Sequence, residues 1–404
     1  MKKSTKVAGA LVAFAALVSS ATPAYAFTPT ISEVRTLNGP AGGESWYSLS
    51  LTSDAKTAVI SADSGVFSVD VATNAATAVS GVEGGASTIF DSSEAFLYAA
   101  DDTGYPTYTT SVKKIDMATK SVVATWTDPA YTLVGPYMFM SPDGASIYMV
   151  NWTGSYPNYG IGVAKVNVAT GAIAQYAAAN SGVNLGQPAY DSTSGLIYVP
   201  YVDSATRLVS GFAVFDTANN GFTDLSWTGS GTLEACDSQA GVVACLVDDT
   251  VPYLSKINSS GAATSTLAVD AEVSSVETLT LTPDASQVFV YGDNGGFGNV
   301  ELIDMASMTS VTVFNTSLDY PNVVTLAKNA GQIWFTADYV ADYNGGYQVI
   351  QYADPAAPVD PSAPALPNTG TNPATIGMYF ALSGLLLTAG AITLTAVRRR
   401  HAQP

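Results

Sequence analysis

Histidine is almost missing from this chain. Its single copy, His401, stands among the last four of 404 residues. A serine or cysteine nucleophile activated by imidazole is therefore excluded from everything upstream, and so is a histidine-ligated zinc or copper centre. Arginine is nearly as scarce. Three of its five copies form the run Arg398, Arg399 and Arg400, leaving only Arg35 and Arg207. Fifteen basic residues, less three N-terminal lysines and these three arginines, leave nine between residues 27 and 369, against all 33 acidic ones. The resulting net −24 disfavours nucleic acid and anionic lipid as partners and suits cations, basic proteins or neutral sugars. Helical apolar spacing with caps is missing as well, so the folded part is expected to be all-β.

Cysteine is limited to Cys236 and Cys245, in LEACDSQAGVVACLVDD. The intervening DSQAG reads as a hairpin turn that sets the two side by side on neighbouring strands. In an oxidising compartment a disulfide is expected; the alternatives are a metal pair or a reactive thiol.

Two further stretches contain long runs without charge, and both are addresses. Residues 1–26 carry Lys2, Lys3 and Lys6, then an apolar centre, then Ala24-Tyr25-Ala26. That is the order of a cleaved secretory signal peptide, with Phe27 as the expected first mature residue. Residues 376–397 contain no charge and, at 1.5 Å per residue, reach roughly 33 Å as a helix, enough to cross a bilayer core. The three arginines follow at once in a basic tail, residues 398–404, which positive-inside orientation keeps cytoplasmic. Just before the apolar segment stands LPNTG: Leu366, Pro367, Asn368, Thr369 and Gly370. A transmembrane helix in this position makes membrane attachment a stage before sorting.

The order of LPxTG, apolar span and basic tail resembles the sorting signal of Gram-positive surface proteins. The resemblance implies that a sortase attacks the Thr369 carbonyl, releases Gly370 with the tail, and passes Thr369 to a peptidoglycan amine. His401 leaves with that tail. Residues 353–365, ADPAAPVDPSAPA, form a Pro/Ala-rich spacer. Its thirteen residues at about 3.1 Å each span roughly 40 Å.

Between the addresses, residues 27–352 repeat. Each unit reads as strand, tight polar turn, strand, loop, strand ending near Asp, short turn, strand. The first turns begin near Ser53, Ser92, Ser141, Ser192, Ser238, Thr282 and Lys328, at spacings of 39, 49, 51, 46, 44 and 46 residues. Four short strands every 40–50 residues is the signature of a β-propeller, and seven copies imply seven blades. The seventh copy supplies three strands. ISEVRTLNG, residues 31–39, is the expected donor of the missing outer strand, closing the ring and removing the sheet edge.

Tyr148-Met149-Val150-Asn151 follows SPDG, and LIYVPY at 196–201 is a looser copy. In these residues the chain resembles the YVTN or lactonase-like seven-bladed propellers of the wider WD-repeat-like group. The resemblance implies a fold, not an activity. Lactonase relatives use acidic, arginine and histidine groups, and sialidases need an arginine cluster. Neither set is available here, so no catalytic residue is carried over. A glycosidase using a carboxylate pair needs only two acids.

The second-to-third strand loops are long and unusual. DDTGYPTYT brings Asp101, Asp102, Tyr105 and Tyr108, and WTGSYPNYG brings Trp152, Tyr156 and Tyr159. Arg207 stands in VDSATRLVS, Asp248 and Asp249 in DDTVP, and Asp293 and Phe297 in GDNGGFG. DYVADYNGG carries Asp338, Tyr339, Asp342 and Tyr343. Aromatic faces with carboxylates suit stacking on sugars or docking of peptide side chains. Calcium is a candidate at Asp101-Asp102, Asp248-Asp249 or Asp293-Asn294, although no spacing matches a known calcium loop. The expected function is non-catalytic recognition of an extracellular protein or glycan through this face. The alternatives are a structural wall protein or a propeller enzyme. A Thr369→Ala variant is expected to lose its covalently wall-bound fraction, measured after detergent extraction of isolated walls; an unchanged fraction contradicts sorting at Thr369.

Overall fold

The computed structural model describes residues 30–31, 35–36, 46–62, 64–84, 87–102, 110–128, 137–153, 160–181, 183–203, 210–273, 275–294, 297–319, 324–328, 331–340, 344–352 and 370–371. Among these residues the strands fall into seven sheets of antiparallel neighbours. Blade 1 is the meander Trp46–Leu51, Thr57–Ala62, Gly65–Asp70 and Ala75–Ala78. Blade 2 runs from Ser87–Phe90 to Ser121–Thr127, and blade 3 from Tyr137–Met140 to Ile173–Ser181. Blade 4 splits its first strand into Val183–Leu185 and Ala189–Asp191 and ends at Gly221–Ser226. Blade 5 runs from Thr232–Gln239 to Ala263–Ala268, and blade 6 from Ser275–Leu281 to Thr309–Asp319.

Six blades are thus complete in themselves, against the seven expected from the repeat count. The seventh copy runs out of chain after Val324–Lys328, Gln332–Val340 and Asn344–Gln351. Its sheet is composite. Thr30 and Ile31 pair with Gln351 and Ile350, and Arg35 and Thr36 with Tyr347 and Gly346. The N-terminal donor strand expected at 31–39 is therefore present, in two short pieces.

What welds the sheets together is apolar side chains alternating to both faces of each one. Every sheet shares a buried cluster with the next. Val59 and Val66 of blade 1 meet Leu97 and Ile115 of blade 2. Ile89 and Tyr98 meet Met138 and Met149, and Phe139 and Val150 meet Tyr190 and Val199. Phe212 meets Cys245, Leu246 meets Leu279, and Phe289 meets Phe335. Trp334 and Tyr347 then meet Leu49 and Ile60 of blade 1, which completes the circle. Their rings stack at 4.9 Å, and the Tyr347 hydroxyl donates to Asn74 Oδ1 in blade 1 at 3.1 Å.

The tight turns share one device. Asp70, Asp116, Asn167, Asp216, Asn258 and Asp304, at the ends of third strands, each accept main-chain N–H bonds from residues two to four positions on. Such a side chain imitates a backbone turn and starts the hairpin. Each turn then needs one left-handed residue. Asn74, Lys120, Gly171, Asn220, Gly261 and Met308 supply it.

Tyr148 and Val150 of the YVTN-like stretch lie in the core between blades 3 and 4. Asn151 and Gln175 exchange amide bonds of 2.9 and 3.2 Å. They cross over Gly162, where an added Cβ would stand 2.6–2.7 Å from both amides. Cys236 and Cys245 are opposite one another across the hairpin and joined in a disulfide, as expected. Gly370 and Thr371 pair with Met138 and Tyr137 along the open edge of blade 3's first strand.

The first-to-second turns allow a clean test of backbone strain. Gly144 has φ 68° with nothing within 4 Å of an added Cβ, whereas Ala55 holds φ 53° in the equivalent turn. Gly144→Ala is expected to cost about 1 kcal/mol, while Ala55→Gly stabilises by about 0.5 kcal/mol once its unfolded-state entropy is counted. Urea midpoints check both signs.

Candidate functional site

Strand direction alternates within each blade, so second strands end and third strands begin on one face. Asp101 and Asp102 close Phe96–Asp102, opposite Ser111 and Thr110. Trp152 stands opposite Ile161, partly buried against the aromatic cluster of blades 3 and 4. Asp248 ends Val242–Asp248 and Asp249 follows it. Asp293 pairs with Gly298 and Phe297 with Asn294. Asp338 and Tyr339 lie near the end of Gln332–Val340. The topology thus brings the expected residues that fall within described strands to the same face. Tyr105, Tyr108, Tyr156, Tyr159, Arg207, Asp342 and Tyr343 lie outside the described residues, as do Leu366, Pro367, Asn368, Thr369, Ala24, Ala26 and Phe27.

The best-defined part of this face is where blade 5 begins. Ser230 O accepts from the Tyr253 hydroxyl at 2.6 Å and from Trp227 Nε1 at 3.3 Å. Gly231 has φ 79°, and an added Cβ there would lie 2.4 Å from Asp248 O. The chain entering blade 5 is therefore pressed against its second-to-third strand loop, which only glycine permits. Asp249 is held below the usual carboxylate range by a side-chain bond from Ser230 and by the Thr250 N–H at 2.7 Å.

Behind this loop sits Glu234, which sequence reading passed over. Gln187 N donates to Glu234 O at 3.0 Å, and Gly186 is packed so closely that a Cβ would stand 2.4 Å from that oxygen. Burial pushes the Glu234 carboxyl up to about 7, and the Asp248 charge adds to the shift. Asp248 is raised too, by burial and then by Asp249. The buried Tyr137 phenol at the start of blade 3 is pushed up by burial and, less, by the Glu234 charge. First strands of blades 3, 4 and 5 thus converge on one acid that is largely protonated at mildly acidic pH. Such a group donates a hydrogen bond where an ordinary carboxylate only accepts. The one available clue was an acid inside a strand otherwise reading as apolar. Its burial depends on blade 4 arriving beside it.

Among the described residues no three His, Cys, Asp or Glu side chains gather as a metal group, which includes Asp248-Asp249. Nor is any helix among them long and apolar enough to cross a membrane; residues 376–397 lie outside them.

Residues 358–402 match the LPXTG cell wall anchor motif. No curated protein matches the chain. With its address in hand, the chain is a cell-wall-anchored surface protein of the extracellular side, carrying an all-β propeller of four-stranded blades.

Because its folded pKa is raised, Glu234 contributes stability that is fully present below about pH 4.5 and is lost as pH rises through about 7. Glu234→Gln is expected to flatten this limb, leaving the variant more stable than wild type at pH 8 by up to about 3 kcal/mol. The difference between wild-type and variant urea midpoints at pH 5 and pH 8 isolates Glu234 from the other acids.

Proposed function

We propose that the propeller is a non-catalytic binding module that takes an extracellular protein or glycan on its second-to-third strand loop face. One observation carries this reading. The loops richest in aromatic and acidic residues follow strands that end on a single face, and Glu234 and Asp248 stand at the blade 5 sector of that face. Stacking rings and a protonated carboxyl suit the rings and hydroxyls of a neutral sugar, or the side chains of a basic or neutral peptide. The −24 charge argues against a polyanionic ligand.

The finer account follows from the same reading. A signal peptide, residues 1–26, leads the chain out; a transmembrane helix at 376–397 holds it while sortase acts; Thr369 becomes the link to peptidoglycan. The composite sheet serves as the seventh blade, in the manner of the YVTN-like propellers. The spacer of roughly 40 Å keeps the propeller close to its attachment point.

A hydrolytic reading has one specific observation behind it, the raised Glu234 beside Asp248. Turnover of glycosides or lactones, abolished by Glu234→Gln, would favour it. For the binding reading, the mature chain is applied to glycan and matrix-protein arrays. Binding that falls at least tenfold in Trp152→Ala or Tyr156→Ala supports it, and binding indifferent to both contradicts it.

A further inference from the structure

Blade 6 contains another acid with a different predicament. Glu301 lies on the third strand, Phe297–Asp304, and is fully buried. Asn299, two residues earlier, projects from the same face of that strand and is 4 % exposed. The short 3₁₀ turn Ala271–Val273, which leads from blade 5 into blade 6, is tied to them at both ends. Asp270 N donates to Glu301 Oε2 at 2.8 Å, and Asn299 Nδ2 donates to Glu272 O at 2.5 Å.

Each of the two side chains keeps one buried oxygen with no hydrogen-bond partner, Glu301 Oε1 and Asn299 Oδ1. Both are acceptors. A buried acceptor without a donor is destabilising, and more so when it is charged. Burial raises the Glu301 pKa and a like charge on Asp270 adds to it, outweighing the Asp270 N–H and a side-chain hydrogen bond from Ser310 to the carboxylate, which both favour the charged form. No basic group is among the charges acting on Glu301. Two orphan acceptors, one of them on a buried acid with a second acid beside it, leave the surroundings of Glu301 short of positive charge.

We propose that Glu301 Oε1 and Asn299 Oδ1 bind a hard, oxygen-seeking metal cation under the Ala271–Val273 turn. Carboxylate and amide oxygens are the usual ligands of such ions, with main-chain carbonyls and water completing the shell. The site differs from the paired aspartates of the loops. It sits beneath the turn between blades 5 and 6, where a bound ion would pin the entry to blade 6. It does not depend on what the loop face binds.

The test uses the mature protein, stripped with chelator and titrated with calcium chloride, or with sodium chloride against choline chloride. Calcium or sodium is expected to raise the melting temperature by about 2 °C or more at saturation. Glu301→Gln keeps shape and volume and is expected to abolish that response while folding normally by circular dichroism. Loop variants Asp249→Asn and Asp293→Asn are expected to leave it unchanged. No response to either cation, or an equal response in wild type and Glu301→Gln, overturns the site; the orphan oxygens would then be served by a buried water alone.

Discussion

Everything in this molecule depends on closing a circle. A blade cannot bury both faces alone, and each of the seven buried clusters joins one sheet to its neighbour. A chain of such sheets left open would expose an apolar face at each end and a row of unpaired main-chain groups. The two ends of the folded region solve this together. Thr30–Ile31 and Arg35–Thr36 complete the sheet that Asn344–Gln351 begins, and Trp334 and Tyr347 press that sheet onto Leu49 and Ile60. A small number of backbone bonds at the outer edge therefore secures an apolar contact between residues 274 (334 − 60) to 298 (347 − 49) positions apart.

That dependence explains what was legible in the residue order. The turns are local: an Asp or Asn at a strand end and a left-handed residue three or four positions on are written in a handful of letters, so the repeat could be counted. The paired cysteines and the N-terminal strand were legible for the same reason. Glu234 and Glu301 were not. Each is one acid in a largely apolar strand, a clue too slight to separate it from a surface carboxylate. Gly186 of the preceding blade encloses Glu234, and the turn between blades encloses Glu301. Burial of this kind belongs to assembled blades, and the shifted pKa follows from burial. Most of the loop residues expected to form the binding face lie at strand ends or beyond the described residues, so sequence legibility there stops at which face they emerge from.

The chemistry and the address agree. The only histidine, His401, lies inside the anchor motif at residues 358–402, so the propeller has none of the commonest acid–base group. What remains is carboxylates, phenols and amides on a rigid ring. Among them the raised carboxyl of Glu234 can hold a proton at mildly acidic pH and so donate a hydrogen bond. Disulfide Cys236–Cys245 fits the same oxidising setting.

Ring closure by the two ends is the central claim, and deleting residues 27–38 from the mature protein tests it most directly. Closure predicts that the deletion lowers the melting temperature by several degrees and speeds amide exchange at Tyr347 and Ile350, the partners of Arg35 and Ile31, with Leu49 in blade 1 following. An unchanged melting temperature and unchanged exchange at these positions would contradict it.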